Sequence, residues 1–571
     1  MNVLVVLLSV TSIALVLRVV GVFREFLPDI GTLAALLAAL HLLRLAKSRA
    51  WRAGEWRDVL HTHAFGIGLF AVCVFSVLVR LPNFSADLGH TPLDIDERRI
   101  AANVRQFFAT GELHHAHIEH YPGVVFWVFA ASSLLSFLRG LGSGLVTSHV
   151  TLLPVESFAQ AARLANIWIA AATVVITGLV GFRLAGTAVG LLGALLVAIV
   201  PISVETTIMV RNDPGMVLAV TAAIYAALTY YDSGKLGWIA TAGALAGVAA
   251  AIKYSAVFAL APVMIAACSC SSVNARGRIR ASAVAVLACG LAVAVSNHFV
   301  WADFPNLLRQ LATQYTFTGP GHRWSTDDPA SVYVTTLAWA GPGWAMMFLA
   351  VGFAAYALSA GNPRLWIFIS FPLVYIWFMT QRPLQVPRWA YPLVPFVAVA
   401  GAAALFAGLH AIQARMAIRP ASWSRGLQAA FAVTVVGVLS QPVWAGTVSF
   451  SRRLSQPTHV LAQAWIREHA TPGTIALVGQ GWLDLTQTPV VAQRVPNLGA
   501  VLDGGIEQLG GCNWVIVTEG LFEHPTLRPL GVLASFEAKR SFGGNLGVDY
   551  RVYSVPDIVE TGICSNPTAK R

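Results

Sequence analysis

Two apolar segments joined by a short basic turn indicate the fold class of the chain. Residues 159–182 read AQAARLANIWIAAATVVITGLVGF, residues 186–206 read GTAVGLLGALLVAIVPISVET, and Arg183 lies between them. A helix of about 20 apolar residues crosses the roughly 30 Å hydrocarbon core of a bilayer. The two segments are therefore predicted to form a transmembrane helical hairpin.

The same apolar pattern recurs along most of the chain. Of the 571 residues, 56% are hydrophobic and only 11% are charged, and the mean hydropathy is +0.66. A soluble domain carries about 25% charged residues. This chain has too few charges to cover the surface of a soluble protein of its size. We predict an α-helical polytopic membrane protein with thirteen spans, at residues 2–22, 30–46, 61–81, 159–182, 186–206, 214–231, 236–252, 254–271, 281–299, 331–355, 364–380, 390–412 and 426–447.

The positive charges lie in the short loops between these spans. The formal net charge is +11, but the lysines and arginines cluster in loops such as Lys47–Arg57, Arg276–Arg280 and Arg415–Arg425. This is the positive-inside pattern of membrane proteins, and it argues against a nucleic-acid partner. If Tyr121–Leu138 is a helix at the outer surface and not a further span, the N-terminus is cytoplasmic and the C-terminal tail is outside.

The composition becomes polar after Phe450. A helical segment is followed by short strand-like runs, which predicts a small extracytoplasmic α/β domain over 451–571. The remaining chain divides into two extra N-terminal helices with a basic loop (1–60) and a multi-spanning core (61–450). In the tail, Cys512 and Cys564 form either a disulfide or two unrelated thiols.

The first predicted outer loop, 82–120, carries three acids within four positions. They are Asp94, Asp96 and Glu97, in the stretch LDIDERR. One interpretation is a solvated acidic turn before a helix, because acids are favourable near a helix N-terminus. The other is a catalytic group, because a carboxylate at a membrane surface has a raised pKa and can act as a base.

Charged residues at the ends of later spans lie on the same predicted side. Arg211 and Asp213 precede a span, where Asp213 followed by proline also suits a helix N-terminus. Lys253 lies between two apolar runs and either snorkels to the headgroups or binds an anion. Arg382 and Arg388 lie in an outer loop against the positive-inside trend, and arginine matches the geometry of a phosphate.

These elements, in this order, resemble a known family. The chain resembles bacterial members of the dolichyl-phosphate-mannose protein mannosyltransferase and aminoarabinose transferase group, within the C-type membrane glycosyltransferases, over about residues 61–555. The matching elements are Asp96-Glu97, Tyr121-Pro122-Gly123, Arg211-Asn212-Asp213, AGALAGVAAAIKYS ending at Lys253, Gly321-His322 and Arg388-Trp389-Ala390-Tyr391-Pro392 with Pro395. Some relatives have Lys-Pro-Pro where this chain has His120-Tyr121-Pro122, so a lysine is missing there.

The resemblance implies an inverting transfer from a polyprenyl-phosphate sugar to an acceptor hydroxyl of a protein, lipid or glycan, at the outer face of a bacterial cytoplasmic membrane. Asp96 is then the general base, and Glu97 and Asp213 orient the acceptor or the sugar. Lys253, Arg388 and Arg382 stabilise charge on the leaving phosphate. The remaining residues expected to bind substrate are Asp94, Tyr121, Arg211, His322 and Tyr391.

Three other functions are compatible with parts of the sequence. A transporter or flippase of lipid-linked sugars would place functional charges near the middle of the membrane, between two related halves. A membrane scaffold would tolerate loss of Asp96, Asp213 and Arg388. A polymerase or ligase of whole glycans would differ in its acceptor. No cofactor is required by the predicted chemistry, although carboxylates that bind a divalent ion are compatible with it.

Overall fold

The structure is a computed structural model of the chain. It describes residues 56–82, 95–111, 124–142, 153–297, 304–305, 308–309, 312, 328–381, 386–416, 421–453, 458–479, 485, 488–495, 498–505, 508–509, 512–518, 524–536 and 550–555. The predicted spans 2–22 and 30–46 lie outside these residues.

Most of the described residues are helical. The α-helices, in chain order, are α1 Trp56–Arg80, α2 Ile95–Thr110, α3 Val124–Gly142, α4 Val155–Ala185, α5 Thr187–Ile199, α6 Pro201–Thr207, α7 Asp213–Ser233, α8 Leu236–Ile252, α9 Leu260–Ser269, α10 Ala275–Ser296, α11 Pro329–Trp339, α12 Trp344–Ala360, α13 Pro363–Thr380, α14 Val394–Met416, α15 Ala421–Arg453, α16 Thr458–His469 and α17 Leu498–Asp503. Short 3₁₀ helices lie at Tyr254–Ala259, Pro387–Leu393 and Pro525–Leu527.

Several of these helices meet the length and composition of membrane spans. Within the described part of the chain there are six such helices, or up to eight when each of two bent helix pairs is taken as one span. Four shorter apolar helices accompany them, at Ala64–Arg80, Val124–Leu138, Leu236–Ile252 and Tyr254–Ser269. The chain is therefore a multi-pass membrane protein, while the predicted number of thirteen spans is not confirmed.

The predicted span 331–355 is not one straight helix, because the chain bends sharply in the middle of it. Helices α11 and α12 meet at 120° around Gly341-Pro342-Gly343. Gly343 has φ +96°, a left-handed conformation that glycine adopts without strain. The side-chain amide of Gln441 donates to the carbonyl of Ala338 (2.7 Å), and its oxygen accepts from the amide of Trp344 (3.0 Å). This side chain therefore satisfies backbone groups that the bend leaves without a helical partner.

The predicted span 186–206 is also bent, by 57° between α5 and α6. The guanidinium of Arg80, which has no exposed surface, fills this break. It donates to the carbonyls of Ala198 (3.0 Å) and Val197 (3.4 Å) at the end of α5, and to hydroxyls of Ser203 (2.8 Å) and Thr207 (2.9 Å) in α6. A cation suits the C-terminal carbonyls of a helix. Arg80 therefore stabilises the bend that leads into residues 208–213.

The chain divides into two compact units. The first contains Met1–Pro82, Asn103–Leu153 and Ala161–Thr447, and the second contains Asn83–Ala102, Pro154–Gln160 and Val448–Arg571. In the first unit α8 packs between α7 and α10, and α14 packs on α12 and α5. The contact of α8 with α10 is close because Gly243 and Gly247 face the backbone of Ala285 and Cys289.

The second unit contains a five-stranded sheet with helices on both faces. Its strands are β1 Ile475–Gly479, β2 Val491–Val495, β3 Trp514–Thr518, β4 Gly531–Phe536 and β5 Tyr550–Ser554, in the order β2-β1-β3-β5-β4. Strand β1 pairs in parallel with β2 and β3, and β5 pairs antiparallel with β3 and β4. One face packs on Leu502 of α17 and the other on Ile466 of α16. Cys512, before β3, is disulfide-bonded.

Candidate functional site

The candidate site in the first unit is built around Asp213, the first residue of α7. Pro214 follows it in the first helical turn, where proline removes no hydrogen bond. The preceding loop is held by Asn166 of α4, whose side-chain amide donates to the carbonyls of Met209 (2.7 Å) and Arg211 (3.2 Å). The Asp213 side chain is only 7% exposed, so its charge requires partners close by.

Lys253 is the nearest partner of this carboxylate. It lies where α8 ends and the 3₁₀ helix Tyr254–Ala259 begins, and its extended backbone interrupts the helix. Its Nζ donates to Oδ1 of Asp213 at 2.7 Å, across 40 positions of sequence. The Lys253 side chain is 26% exposed. The ammonium thus remains accessible while the carboxylate is almost completely covered.

A second cation approaches the other oxygen of Asp213. Nε of Arg388, in the 3₁₀ helix Pro387–Leu393, lies 3.9 Å from Oδ2. The next residue, Trp389, places its ring 5.4 Å from Nζ of Lys253, within the range of a cation–π interaction. The carbonyl of Trp389 accepts a hydrogen bond from the hydroxyl of Tyr375 in α13 (3.0 Å).

A third cation, Arg211, also lies near Asp213. One carboxylate, Asp213, holds Lys253 and Arg388, and Arg211 also lies within electrostatic range of it. Arg211 is 8% exposed and its Nη2 lies 3.1 Å from the sulfur of Met209. The group of Asp213, Lys253, Arg388 and Arg211, called the cation cluster below, combines three cationic side chains with one carboxylate. Such a cluster can bind an anion, and a phosphate matches arginine and lysine well.

Tyr391 supports the cluster from inside the protein. It has no exposed surface, and it lies within electrostatic range of both Arg80 and Asp213. It was expected to bind substrate. In this structure it is a buried residue of the same 3₁₀ helix that carries Arg388.

The predicted catalytic acids lie at the start of helix α2. Asp96 and Glu97 occupy its first turn, and Glu97 is 1% exposed. Glu97 shares a buried helix face with Ile100, Ala101 and Val104, which follow at helical spacing. These two acids belong to the second unit, whereas the cation cluster belongs to the first.

Several predicted site residues lie outside the described residues. They are Asp94, Tyr121, His322 and Arg382, together with the side chain of Asp96. Their roles stay predictions. Among the residues that are described, no three His, Cys, Asp or Glu side chains come together as possible ligands of a metal ion.

A second ionic cluster lies at the opposite end of α7. Asp232 contacts Nη1 of Arg364 (3.1 Å) and Nη1 of Arg183 (3.6 Å), and Arg183 lies over the ring of Tyr225 at 5.2 Å. Asp213 and Asp232 are separated by nearly the whole 21-residue helix. At about 1.5 Å per residue this is about 30 Å, the thickness of the hydrocarbon core. The two ionic clusters therefore lie at opposite membrane faces if α7 spans the bilayer.

Comparison with known proteins agrees with the resemblance described from the motifs. The sequence model of the dolichyl-phosphate-mannose-protein mannosyltransferase family matches residues 143–301. The match includes Arg211, Asp213 and Lys253, and it confirms the resemblance to the mannosyltransferase and aminoarabinose transferase group of membrane glycosyltransferases. No curated protein sequence matches the chain.

Three solved structures have a limited similarity to the fold of this chain. The archaeal oligosaccharyltransferase AglB from Archaeoglobus fulgidus, in complex with an inhibitory peptide and a dolichol-phosphate, is 11% identical with a TM-score of 0.49, over 81% of this chain and 70% of that chain. ArnT from Cupriavidus metallidurans bound to undecaprenyl phosphate is 14% identical with a TM-score of 0.47, over 88% and 100%. The protein O-mannosyltransferase complex Pmt1-Pmt2 of S. cerevisiae, bound to the sugar donor, is 13% identical with a TM-score of 0.33, over 47% and 36%. Because all three scores are below 0.5, these similarities carry no argument about the site.

Some residues of the site were not singled out from the sequence. Trp389 is part of a sequence motif that gives it no role of its own, and Tyr375 and Asn166 belong to none of the motifs. Their signal is a hydrogen-bonding side chain inside an apolar run, which must find a partner within the protein. Asn166 and Tyr375, each with no exposed surface, both do so at the backbone of residues that carry the cation cluster.

Proposed function

We propose that the protein is an inverting glycosyltransferase that moves a sugar from a polyprenyl-phosphate donor to an acceptor hydroxyl. The observation that carries this proposal is the cation cluster. A carboxylate that is almost covered holds Lys253 and Arg388, and both cations keep about a quarter of their side-chain surface exposed. This arrangement suits the phosphate of a lipid-linked sugar, because cations in a water-poor site stabilise the charge of a leaving phosphate.

The reaction has one displacement. The acceptor hydroxyl attacks the anomeric carbon of the sugar, and its proton passes to the Asp96 carboxylate. The bond between the anomeric carbon and the phosphate oxygen breaks, and the polyprenyl phosphate leaves with both bonding electrons. Lys253 and Arg388 bind that phosphate. Attack from the face opposite to the leaving group inverts the configuration at the anomeric carbon.

For Asp213 we propose a role other than the one expected from the sequence. It was expected to orient the acceptor or the sugar, but both of its oxygens face cations. We propose that it positions Lys253 and Arg388 and does not itself bind the sugar. The expected role of Glu97 in orienting the acceptor stays a prediction.

The sidedness of the site follows from the ends of α7. The Asp232 end lies beside Arg183, Arg364 and the basic turn at Lys235, which the positive-inside rule places in the cytoplasm. The Asp213 end then faces the outside, which for a bacterial protein of this group is the outer face of the cytoplasmic membrane. The disulfide-bonded Cys512 supports an extracytoplasmic position for the predicted domain 451–571, since disulfides persist in oxidising compartments.

A transfer assay tests this function. The full-length protein in lipid nanodiscs receives a panel of radiolabelled polyprenyl-phosphate sugars, with a membrane extract as acceptor, and the label that leaves the lipid is measured. We expect release from one donor class, and release that falls strongly in Lys253→Met and Arg388→Gln. If label instead crosses the bilayer of sealed vesicles while its bond to the lipid stays intact, the flippase alternative replaces this proposal.

A further inference from the structure

We propose that Tyr375 is a positioning residue, which orders both cations of the site by holding the backbone of Trp389. This inference rests on the proposed function for its substrate, a polyprenyl-phosphate donor, but its structural part stands on the contacts of Tyr375 alone.

The first contact is the hydrogen bond from the Tyr375 hydroxyl. Tyr375 has no exposed surface and lies on α13, and its hydroxyl donates to the carbonyl of Trp389 at 3.0 Å. The accepting residue is in the 3₁₀ helix Pro387–Leu393, which contains Pro387 and Pro392. Proline has no amide hydrogen to donate, so Pro392, inside this short helix, adds no internal hydrogen bond. Residues 390–393 are buried, and the hydroxyl of Tyr375 adds an anchor at Trp389, the residue that precedes them.

The 3₁₀ helix Pro387–Leu393 carries two side chains that reach the cation cluster. Trp389 places its ring 5.4 Å from Nζ of Lys253, and Arg388, one residue earlier, places Nε 3.9 Å from Asp213. A shift of the Trp389 peptide would move the side chains of Trp389 and Arg388 together. Lys253 and Arg388 come from different parts of the chain, and Trp389 is adjacent to both, by its ring to Lys253 and by the backbone to Arg388.

The hydroxyl of Tyr375 lies inside the protein, behind the site. Tyr375 lies within electrostatic range of Asp213, but its side chain is buried and does not reach solvent. It therefore acts through Trp389 and does not touch the donor. This distinguishes a positioning residue from one that binds the phosphate.

The variant that tests this is Tyr375→Phe, which removes one hydroxyl and keeps the shape of the side chain. Tyr230→Phe is the matched control, because Tyr230 is 1% exposed and lies near the opposite end of α7. Hydrogen–deuterium exchange of the backbone amides of residues 386–393 is measured in both variants and in the unchanged protein. KM and kcat for the polyprenyl-phosphate donor are measured in the same preparations.

We expect faster exchange in residues 386–393 and about a fivefold rise in the donor KM for Tyr375→Phe, with kcat within about twofold, the size expected for loss of one hydrogen bond. Tyr230→Phe should change neither. In a double variant with Arg388→Gln, the KM effect of Tyr375→Phe should become smaller, because one of the two cations that it positions is gone.

Each result bears on one part of the inference. Unchanged exchange in Tyr375→Phe would overturn the positioning role. Faster exchange with an unchanged donor KM would overturn the link to the substrate. If exchange rises but the unchanged protein consumes no polyprenyl-phosphate sugar and binds no polyprenyl phosphate, the proposed function fails while the structural role of Tyr375 stands.

Discussion

Replacing Lys253 by methionine should destabilise the protein more than replacing Arg364 by methionine. Lys253 contacts Asp213 at one end of α7, and Arg364 contacts Asp232 at the other end. Lys253→Met keeps the length of the side chain and removes its charge. Asp213, 7% exposed, would then keep Arg388, whose Nε lies 3.9 Å away and not at the 2.7 Å of Lys253 Nζ, and the electrostatic influence of Arg211. The carboxylate would lose its short hydrogen bond in a place that water hardly reaches.

The magnitude follows from the exposure of the two partners. Removing one partner of a buried ion pair costs about 3–5 kcal/mol, whereas exposed pairs contribute about 0–1 kcal/mol. Lys253 is 26% exposed and Asp213 is 7% exposed, so the pair lies between the exposed and the buried case. We expect Lys253→Met to lower the free energy of unfolding by about 2 kcal/mol.

The assay is a double-mutant cycle on the purified protein in detergent micelles, with Lys253→Met, Asp213→Asn and the combination. We expect the double variant to be more stable than the sum of the two single losses predicts, by about 1–2 kcal/mol. Arg364→Met is the control, because Arg364 and Asp232 are both 31% exposed, and its loss should stay below about 1 kcal/mol. Additive effects at Lys253 and Asp213, or an equal loss in the Arg364 control, would refute the reasoning.

Three further predictions concern stability and sidedness. Arg80→Gln should reduce the yield of folded protein while Arg80→Lys retains part of it, as measured by size-exclusion chromatography, because the carbonyls at the end of α5 need a buried cationic donor; equal yields would contradict this. Gly247→Ala should destabilise the protein by about 1–3 kcal/mol in thermal unfolding, since its Cβ would meet the backbone oxygen of Cys289, while Gly290→Ala, whose Cβ meets nothing, should not; similar losses in both would argue against close packing of α8 on α10. A cysteine at Asn274, in the turn before α10, should react with a membrane-impermeant thiol reagent only in inverted vesicles, and labelling of intact cells would reverse the proposed orientation.

The apolar spans were predictable because length and hydropathy are local properties. Helices α4, α7, α10 and α13 lie within a few residues of the predicted spans. The bends were not predicted. Gly341-Pro342-Gly343 is a recognisable break, but hydropathy averaged over a whole span hides it. The bend between α5 and α6 depends on Arg80, which lies more than 100 residues earlier in the chain.

The sheet was predicted in most of its strands. The runs around Ile475, Trp514, Val532 and Tyr550 are rich in β-branched and aromatic residues, and strands are present at all four. Strand β2, with the sequence VAQRV, was missed because Gln493 and Arg494 interrupt its apolar pattern. Which strands pair depends on contacts between distant parts of the chain. The strand order of the sheet therefore could not be predicted from the separate runs.

The residues of the cation cluster were predicted, but their arrangement was not. Asp213, Lys253 and Arg388 were assigned to one membrane side from the alternation of basic and acidic loops. That both cations contact the same carboxylate depends on how α7, α8 and the 3₁₀ helix Pro387–Leu393 pack. Local sequence contains no information on that packing, and for the same reason the support from Tyr375 and Asn166 was missed.

The measurement that tests the proposed function most directly compares the unchanged protein with Asp96→Asn in a single-turnover transfer assay. Both are given the polyprenyl-phosphate sugar that the donor panel identifies, and binding of the donor is measured in parallel. We expect Asp96→Asn to bind the donor within about threefold of the unchanged protein and to transfer sugar at least about 100-fold more slowly, since a general base contributes about 10²–10⁴-fold. Full transfer activity in Asp96→Asn would contradict the proposed base and the mechanism built on it.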